Sequence, residues 1–297
     1  MNRYDFVYFF DVTDGNPNGD PDAGNLPRID AETGQGLVTD VALKRKIRNY
    51  VALTKGREPG WRIYVQDRAV LNQQHEEAWE AISPSTEESK RNKLPKDVEK
   101  ARELTRWMCK NFFDIRAFGA VMTTEVNCGQ VRGPVQLGIA RSLDPIVSQE
   151  HALTRCAVTN ERDLEKERTM GRKFTVPYAM YRMHGYVNPL LAEQTGFGDV
   201  DLDVLRRSLD QMFEYDRSAA RGLMRPVRCV SFRHDSPFGN ARADQLFARV
   251  TARLAHDVAN ENRPPRQAAD YEIQIEGSNL PPGVVIQEWV GAAMAAS

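Results

Sequence analysis

The sequence has few features of secreted or membrane-embedded proteins. Its four cysteines, which form no C-x-x-C pair, are Cys109, Cys128, Cys156 and Cys229. This spacing predicts neither a disulfide framework nor a zinc ribbon, and favours reduced, partly buried thiols in a cytoplasmic protein. No apolar run reaches transmembrane length. Asp5 and Asp11 bracket the first apolar run, so we expect no signal peptide.

The chain also lacks a strong charge of one sign and the common catalytic motifs. It has 40 basic and 41 acidic residues and a net charge of -1, so any contact with nucleic acid must come from local patches. The sequence contains no Walker A, G-x-S-x-G or H-E-x-x-H motif. A short Gly34-x-Gly36 run precedes a helical pattern but lacks the third glycine of a dinucleotide site. We therefore predict no cofactor.

The most informative segment is residues 14–28, in which Gly, Pro, Asn and Asp predominate. Each of these residue types favours turns for its own backbone reason. The segment lies between a predicted strand, residues 4–12, and a predicted helix, residues 39–53. An irregular loop of this length in a compact domain usually has a functional role.

Two interpretations of this loop are possible from its residues. Positions 1, 3, 5, 6 and 7 of an EF-hand calcium loop match Asp14, Asn16, Asn18, Gly19 and Asp20. However, Asn25 stands where the bidentate glutamate is required, and no helical pattern precedes the loop. These defects favour a set of linked turns over a metal site, and we predict no metal.

The helix at residues 39–53 combines a buried face with a basic one. Thr39 is a plausible N-cap, and Asp40 complements the helix dipole in the first turn. One apolar face is formed by Leu43, Ile47, Tyr50 and Val51. The basic residues are Lys44, Arg45, Lys46 and Arg48. Because no acidic residue interleaves with them, we predict an anionic ligand rather than a solvated charged face.

Several segments of the sequence resemble a known family. Residues 14–28, followed by 36–40 and 43–48, resemble the CRISPR-associated backbone protein (the Cas7 group) of type I-C Cascade complexes, within the repeat-associated RNA-binding superfamily. Residues 114–119 with 133–138, and residues 159–173, extend the similarity over residues 1–235. The resemblance implies a non-catalytic subunit that polymerises head to tail along CRISPR RNA and presents the guide to target DNA.

The implied partners follow from the same resemblance. They are CRISPR RNA, target DNA through the guide, further copies of the chain, and the other Cascade subunits: the 5′-end-capping and processing subunit, the large subunit and the small subunit. A recruited nuclease-helicase would be an indirect partner and would perform the cleavage. No membrane partner is implied.

The element pattern predicts an α+β fold. Strands are expected at residues 4–12, 62–66, 114–122, 135–142, 175–187, 227–232 and 271–275, with helices at 39–53, 201–213 and 242–256. Asp201 is the expected N-cap of the second of these helices. This order and the resemblance predict one elaborated domain with an RNA-recognition-motif-like (ferredoxin-like) palm at about 1–66, 113–148 and 175–276. A helical finger insertion is expected at about 67–112, and a thumb extension at about 149–174.

Binding RNA without reading its sequence requires cations for phosphates and apolar or flat groups for bases. The candidate RNA-binding residues, assigned with the help of the resemblance, are Arg28, Thr39, Lys44, Arg45, Arg48, Gly119, Gly133, Gln136, Met170, Arg172 and Lys173. Met170 is the candidate wedge between bases, because members of the family insert thumb side chains into the guide.

Structural alternatives exist for several of these residues. Gly119 and Gly133 are also suited to tight turns. Met170 is also suited to filling a gap in the core. Arg172 is also suited to a surface ion pair with Glu165 or Glu167.

Two other functions remain open from the sequence. The first is a metal-dependent endoribonuclease of a type III-like effector, using the loop aspartates Asp14, Asp20, Asp22 and Asp30. Backbone subunits of type III complexes resemble this layout and cut target RNA with a loop aspartate. The second is an assembly scaffold without RNA, which leaves Lys44, Arg45 and Arg48 unexplained.

Overall fold

The structure, a computed structural model, describes residues 1–163, 165 and 170–291. The first half contains strands β1 (Tyr4–Gly15), β2 (Gly19–Asp20), β3 (Leu26–Pro27) and β4 (Gln35–Val38), then helices α1 (Asp40–Lys55), α2 (Leu71–Ile82), α3 (Val98–Asn111) and α4 (Phe113–Phe118). Strands β5 (Gly119–Thr123), β6 (Asn127–Arg132), β7 (Val135–Leu137), β8 (Ala140–Pro145), β9 (Gln149–Thr154) and β10 (Met170–Val187) follow. The remaining elements are α5 (Pro189–Thr195), α6 (Asp199–Gln211), β11 (Leu223–His234), α7 (Ala243–Phe247), β12 (Val250–Leu254), α8 (His256–Asn260), β13 (Tyr271–Ile275) and β14 (Val284–Val290).

A central antiparallel sheet organises the chain. Its strand order is β14-β11-β1-β10-β8-β4, and both β7 and β9 also pair with β10. Since β1 is antiparallel to both of its neighbours, β10 and β11 run parallel to each other. β7 and β8 are antiparallel to β10, so they run parallel to β1.

This arrangement is the split βαβ topology of a ferredoxin-like fold. The connection from β1 through α1 to β7 and β8 passes over β10, and the connection from β10 through α6 to β11 passes over β1. The resulting order of the four core strands is that of an RNA-recognition-motif-like palm. The predicted α+β class with a ferredoxin-like palm is therefore confirmed by the strand order.

Both faces of the sheet are covered. One face packs on α1 and α6 through a large core that includes Tyr8, Phe10 and Leu205, with Phe10 stacked on Tyr181 at 5.3 Å between ring centroids. The opposite face carries Phe9 and packs on the segment from α7 to β13. Alternating side chains of β1 thus enter two different cores, because successive residues of a strand point to opposite faces.

A third core lies in the segment between α1 and β7. It joins α2 and α3 to the β5–β6 hairpin around Trp79, Leu104 and Phe112. The helical character that the sequence predicts for this insertion is confirmed by α2 and α3. The assignment of palm, finger and thumb boundaries stays a prediction. In the part of the chain that the structure describes, no helix is long and apolar enough to span a membrane.

Most of the predicted strands and the first helix are confirmed, but two predicted strands are wrong. Arg62 forms only an isolated bridge with Phe112, and residues 63–66 form no strand. Residues 114–118 belong to helix α4, and only Gly119–Thr123 is a strand. All six residues of α4 are buried, and periodicity cannot separate a short, fully buried helix from a strand.

Two helix predictions also need correction. The helix expected at residues 242–256 is the five-residue α7 followed by β12, because β12 pairs with the distant β13 and local propensity does not reveal that pairing. Gly198, and not Asp201, is the N-cap of α6. The carboxylate of Asp201 instead accepts a hydrogen bond from the Gly198 amide at 2.9 Å, as a residue at the third helical position does in a capping box.

Candidate nucleic-acid interface

Helix α1 is positioned as the sequence predicts. The Thr39 hydroxyl accepts a hydrogen bond from the Ala42 amide and caps the helix. Its predicted apolar face is buried against the sheet and α6, and consists of Leu43, Ile47, Tyr50 and Val51. The basic residues of the helix are therefore fixed on a rigid element of known orientation.

The expectation that these basic residues lack acidic partners is wrong. Lys44 pairs with Asp40 at 2.8 Å, one turn earlier on the same helix. Lys46 is buried and pairs with Asp216, and the pKa of Lys46 is lowered because burial outweighs the attraction of that carboxylate. Asp216 is 170 residues from Lys46 in the sequence, so the basic run gave no sign of this pair.

Arg48 is the third paired cation. It contacts the buried carboxylate of Asp114 at 2.7 Å. The same carboxylate accepts hydrogen bonds from the backbone amides of Tyr64 and Val65. Arg48 therefore connects α1 to α4 and to the chain before α2. Of the five basic residues in α1, only Arg45 is both exposed and without an ion pair to any residue that the structure describes.

The polar loop at residues 14–28 is fixed to the beginning of α1. The side-chain oxygen of Asn18 accepts hydrogen bonds from the Thr39 amide at 2.9 Å and from the Thr39 hydroxyl at 3.0 Å. Within the loop, the short strands β2 and β3 pair with each other. We predicted Thr39 as a hydrogen-bond donor to RNA. Its amide and hydroxyl instead donate to Asn18 and hold the loop in place.

Between this loop and α1 lies a cleft of about 810 Å³, referred to here as the loop–helix cleft. It brings together three of the predicted residues, Arg28, Thr39 and Arg45. Asp216 and Arg221 complete its wall. Arg221 contacts Asp216 at 2.8 Å, and Arg28 contacts Asp20 at 3.4 Å.

The wall residues Asp216 and Arg221 were missed by the sequence analysis. They belong to the segment between α6 and β11, which is far from α1 in the chain, and no motif marks them. The cleft combines basic side chains with the positive end of the α1 dipole, an arrangement that favours a phosphate group.

Lys44 and Arg48 lie on a second surface, on the flank of α1. The Lys44 ammonium is 5.7 Å from the centre of the Phe118 ring, and the Arg48 guanidinium carbon is 5.4 Å from it. Phe118 is followed by Gly119, whose backbone lies against Gly133. The structure therefore groups these predicted residues around the α4–β5 junction.

The two glycines permit a close approach within the chain. Gly119 has a φ of 80°, and a Cβ placed there would lie 2.4 Å from the Val131 carbonyl oxygen. A Cβ on Gly133 would lie 2.2 Å from the carbonyl carbon of Phe118. The Gln136 amide donates to the Gly133 carbonyl at 2.9 Å and supports the same junction. This packing accounts for both glycines without a ligand.

Met170, Arg172 and Lys173 lie apart from both surfaces, on the β9–β10 hairpin. All six residues of β9 are exposed, and β10 extends far beyond the sheet to pair with them. Met170 is 69% exposed, so the alternative that it fills a gap in the core is wrong. Arg172 is 73% exposed and pairs with Glu150 at 3.2 Å. Of its two predicted partners, Glu167 lies outside the described residues.

The face of the sheet opposite to α1 and α6 is not available for stacking bases. In an RNA-recognition motif, aromatic residues on that face hold the bases. Here the corresponding face, with Phe9, Tyr178 and Phe232, is buried under Phe247 and Tyr271. Any bound single strand must therefore use the helix side, the loops or the β9–β10 hairpin.

The loop aspartates do not form a metal cluster in the described part of the chain, where no group of three or more His, Cys, Asp or Glu side chains converges. Asp20 accepts a hydrogen bond from the Asp22 amide and pairs with Arg28. Asp30 pairs with Arg141 at 2.5 Å, and the hydrogen bond from that guanidinium lowers the pKa of Asp30. The EF-hand interpretation also loses Asn18, whose side-chain oxygen is occupied by Thr39.

Comparison with known proteins gives a consistent family assignment. The family model described as CRISPR-associated protein Cas7 matches residues 2–276. A protein of Haloferax volcanii described as CRISPR-associated protein Cas7 is 25% identical over 223 residues, which is 69% of this chain and 62% of that protein. This chain therefore covers less than two thirds of that relative.

Two solved structures are also similar to this chain. One, described as a CRISPR RNA-guided surveillance complex, pre-nicking, has a TM-score of 0.49 and 16% identity, with 79% of each chain covered. The other, a type III-B Cmr-beta bound to cognate target RNA, has a TM-score of 0.42 and 9% identity, covering 77% of this chain and 60% of that chain.

Proposed function

Since the chain belongs to the CRISPR-associated Cas7 family, we propose that it is a cytoplasmic, non-catalytic backbone subunit of a type I-C Cascade complex that binds CRISPR RNA. The subtype rests on the resemblance of residues 14–28, 36–40 and 43–48. Copies would bind along the guide and hold it for pairing with target DNA, so that base pairing and not the protein reads the sequence.

The loop–helix cleft is the observation that carries this proposal. It places Arg45, an exposed cation without an ion pair to described residues, beside the N-terminus of a 16-residue helix. A basic side chain and a helix N-terminus can bind a phosphate of the RNA backbone without contacting a base. Because the chain has a net charge of -1, a local basic site of this kind is what RNA binding requires.

The alternative of a metal-dependent ribonuclease is less well supported by the same loop. Asp20 and Asp30 are engaged by arginines, and the four candidate aspartates do not converge among the described residues. A metal-assisted cut requires carboxylates gathered beside the phosphate. The alternative is tested by incubating target RNA with the unaltered protein and with Asp14→Ala, Asp20→Ala and Asp30→Ala. We expect the RNA to remain uncut in every case. Cleavage by the unaltered protein that is lost in one of these variants would establish the alternative.

The proposal is tested by expressing the protein with and without a type I-C CRISPR array and the other Cascade subunits. Size-exclusion chromatography with the ultraviolet absorbance ratio would detect bound nucleic acid at low and high salt. We expect a large species, rich in RNA of uniform length, that forms only with the array. A protein free of nucleic acid under every condition would overturn the proposal.

A further inference from the structure

Two polar atoms at the loop–helix cleft are buried and have no hydrogen-bond partner among the described residues. They are the side-chain oxygen of Asn16 and the Nε of Arg28, and both residues line the cleft. Asn16 is only 4% exposed. Buried polar groups without partners are rare, and each one costs stability until a partner arrives.

The orientation of the Asn16 amide is determined by its other contacts. Its Nδ2 donates to the Asn25 carbonyl at 2.8 Å, and its backbone amide donates to the Ala220 carbonyl at 2.6 Å. Turning the amide over would place its oxygen against the Asn25 carbonyl oxygen, which is repulsive. The unpaired atom is therefore an acceptor, and it requires a donor from outside the loop.

Neither Thr39 nor Arg28 supplies this donor. The Thr39 hydroxyl and amide already donate to Asn18. Arg28 has an unpaired donor of its own, which indicates that the two groups do not satisfy each other. Two residues that line the cleft therefore contain one unsatisfied acceptor and one unsatisfied donor.

A ribonucleotide matches this pair of groups. A phosphate oxygen accepts from Arg28, but neither a phosphodiester nor a deoxyribose can donate to Asn16. The ribose 2′-hydroxyl is the backbone donor that distinguishes RNA from DNA. We propose that Asn16 accepts a hydrogen bond from a ribose 2′-hydroxyl, so that the loop–helix cleft selects RNA over DNA as the strand bound by the protein.

This inference rests on the proposed function, since it requires RNA in the cleft. The Asn16 oxygen is buried in the free protein, so the proposed contact requires the adjacent turn to shift when RNA binds. Selection at this site would explain how a subunit that binds only a backbone separates its guide from the DNA strands of a target. Arg28 and Arg45 contribute charge to either strand, whereas Asn16 responds to the sugar.

The test compares single-stranded RNA with 2′-fluoro RNA of the same sequence, because fluorine removes the donor with little change in sugar shape. Binding is measured by fluorescence anisotropy for the unaltered protein and for Asn16→Ala. We expect the unaltered protein to bind RNA about tenfold more tightly than 2′-fluoro RNA, the size of one net hydrogen bond. Asn16→Ala should bind the two strands equally.

The control variant is Arg45→Ala, which should weaken both strands by the same factor and keep their ratio. Equal binding of RNA and 2′-fluoro RNA by the unaltered protein would overturn the inference while leaving the proposed function intact. No binding of RNA at all would instead refute the proposed function. If Asn16→Ala does not fold, RNA with 2′-O-methyl groups replaces the variant. The methyl group removes the hydroxyl donor as fluorine does, so the unaltered protein should bind this RNA no more tightly than 2′-fluoro RNA. Binding equal to that of unmodified RNA would overturn the inference.

Discussion

Arg45 differs from the other cations of α1 because no described acidic group neutralises it. Its charge is free to release counterions when a phosphate binds. We expect Arg45→Ala to weaken RNA binding for every sequence and to reduce the slope of log affinity against log salt by about 1. Anisotropy titrations between low and moderate salt measure that slope.

A matched control is Arg253→Ala, which removes an exposed arginine of β12. This strand lies on the face of the sheet opposite to α1. It should leave both affinity and slope unchanged. An identical salt slope for the unaltered protein and Arg45→Ala would show that Arg45 makes no phosphate contact.

Arg48 has a structural role that the sequence does not suggest. A Lys44→Ala and Arg48→Ala double variant looks like a clean test of a phosphate-binding face when only the sequence is considered. Asp114 is 1% exposed, however, and losing Arg48 leaves this carboxylate buried without its cation. Breaking a buried pair of this kind costs about 3–5 kcal/mol of folding stability. Weaker RNA binding by that double variant would therefore mix loss of charge with loss of the native fold.

The basic character of α1 could be predicted from the sequence, but its ion pairs could not. The partner of Arg48 lies 66 residues away, and the partner of Lys46 lies 170 residues away. Only the pair between Lys44 and Asp40, at i and i+4 on one helix, follows the local spacing that a sequence reveals. The same limit hid Asp216 and Arg221, which complete the loop–helix cleft.

At the scale of elements, the junction between α4 and the β5–β6 hairpin depends on Gly119. Its positive φ and its contact with the Val131 carbonyl leave no room for a side chain. We expect Gly119→Ala to lower the free energy of unfolding by at least about 1 kcal/mol, since the backbone strain and the clash add. Chemical denaturation measures the change.

Gly171→Ala is the control for this substitution. Gly171 lies on the exposed hairpin, and a Cβ there would meet no atom within 4 Å. It should be neutral for stability. If Gly119→Ala kept full stability but lost RNA binding, the glycine would be a ligand contact rather than a structural requirement.

The elements that the sequence predicted well are those with a clear local signal. Strand β1 and helix α1 have an apolar run and a capped amphipathic pattern, respectively. Helix α4 and strand β14 lack such a signal. α4 is buried on all sides, and β14 is a strand because it pairs with β11 from the far end of the chain. Non-local burial and pairing therefore decided the elements that local patterns could not.

At the scale of the molecule, the two covered faces of the sheet limit where the proposed guide strand can bind. The helix side offers the loop–helix cleft and the flank of α1, and the exposed β9–β10 hairpin projects from the sheet. Because Met170 is 69% exposed in the isolated chain, its contact, if it is the predicted wedge, lies outside the subunit.

The proposed polymerisation along RNA leads to an expected result that a protein with one isolated RNA site would not give. A contact between unlike surfaces of successive copies does not close on itself unless a rotation forms a ring, so an open filament grows with its template. We expect mass photometry on a series of single-stranded RNAs to show bound copies that increase linearly with RNA length, by one copy for each constant increment. DNA of the same lengths is the control, and it should hold fewer copies at equal concentration if the cleft senses the 2′-hydroxyl. One copy per RNA at every length would exclude a backbone role and leave an isolated RNA-binding subunit. A linear increase that is identical on DNA would support the filament and contradict the sugar selectivity, because the filament depends on contacts between copies and the selectivity depends on Asn16.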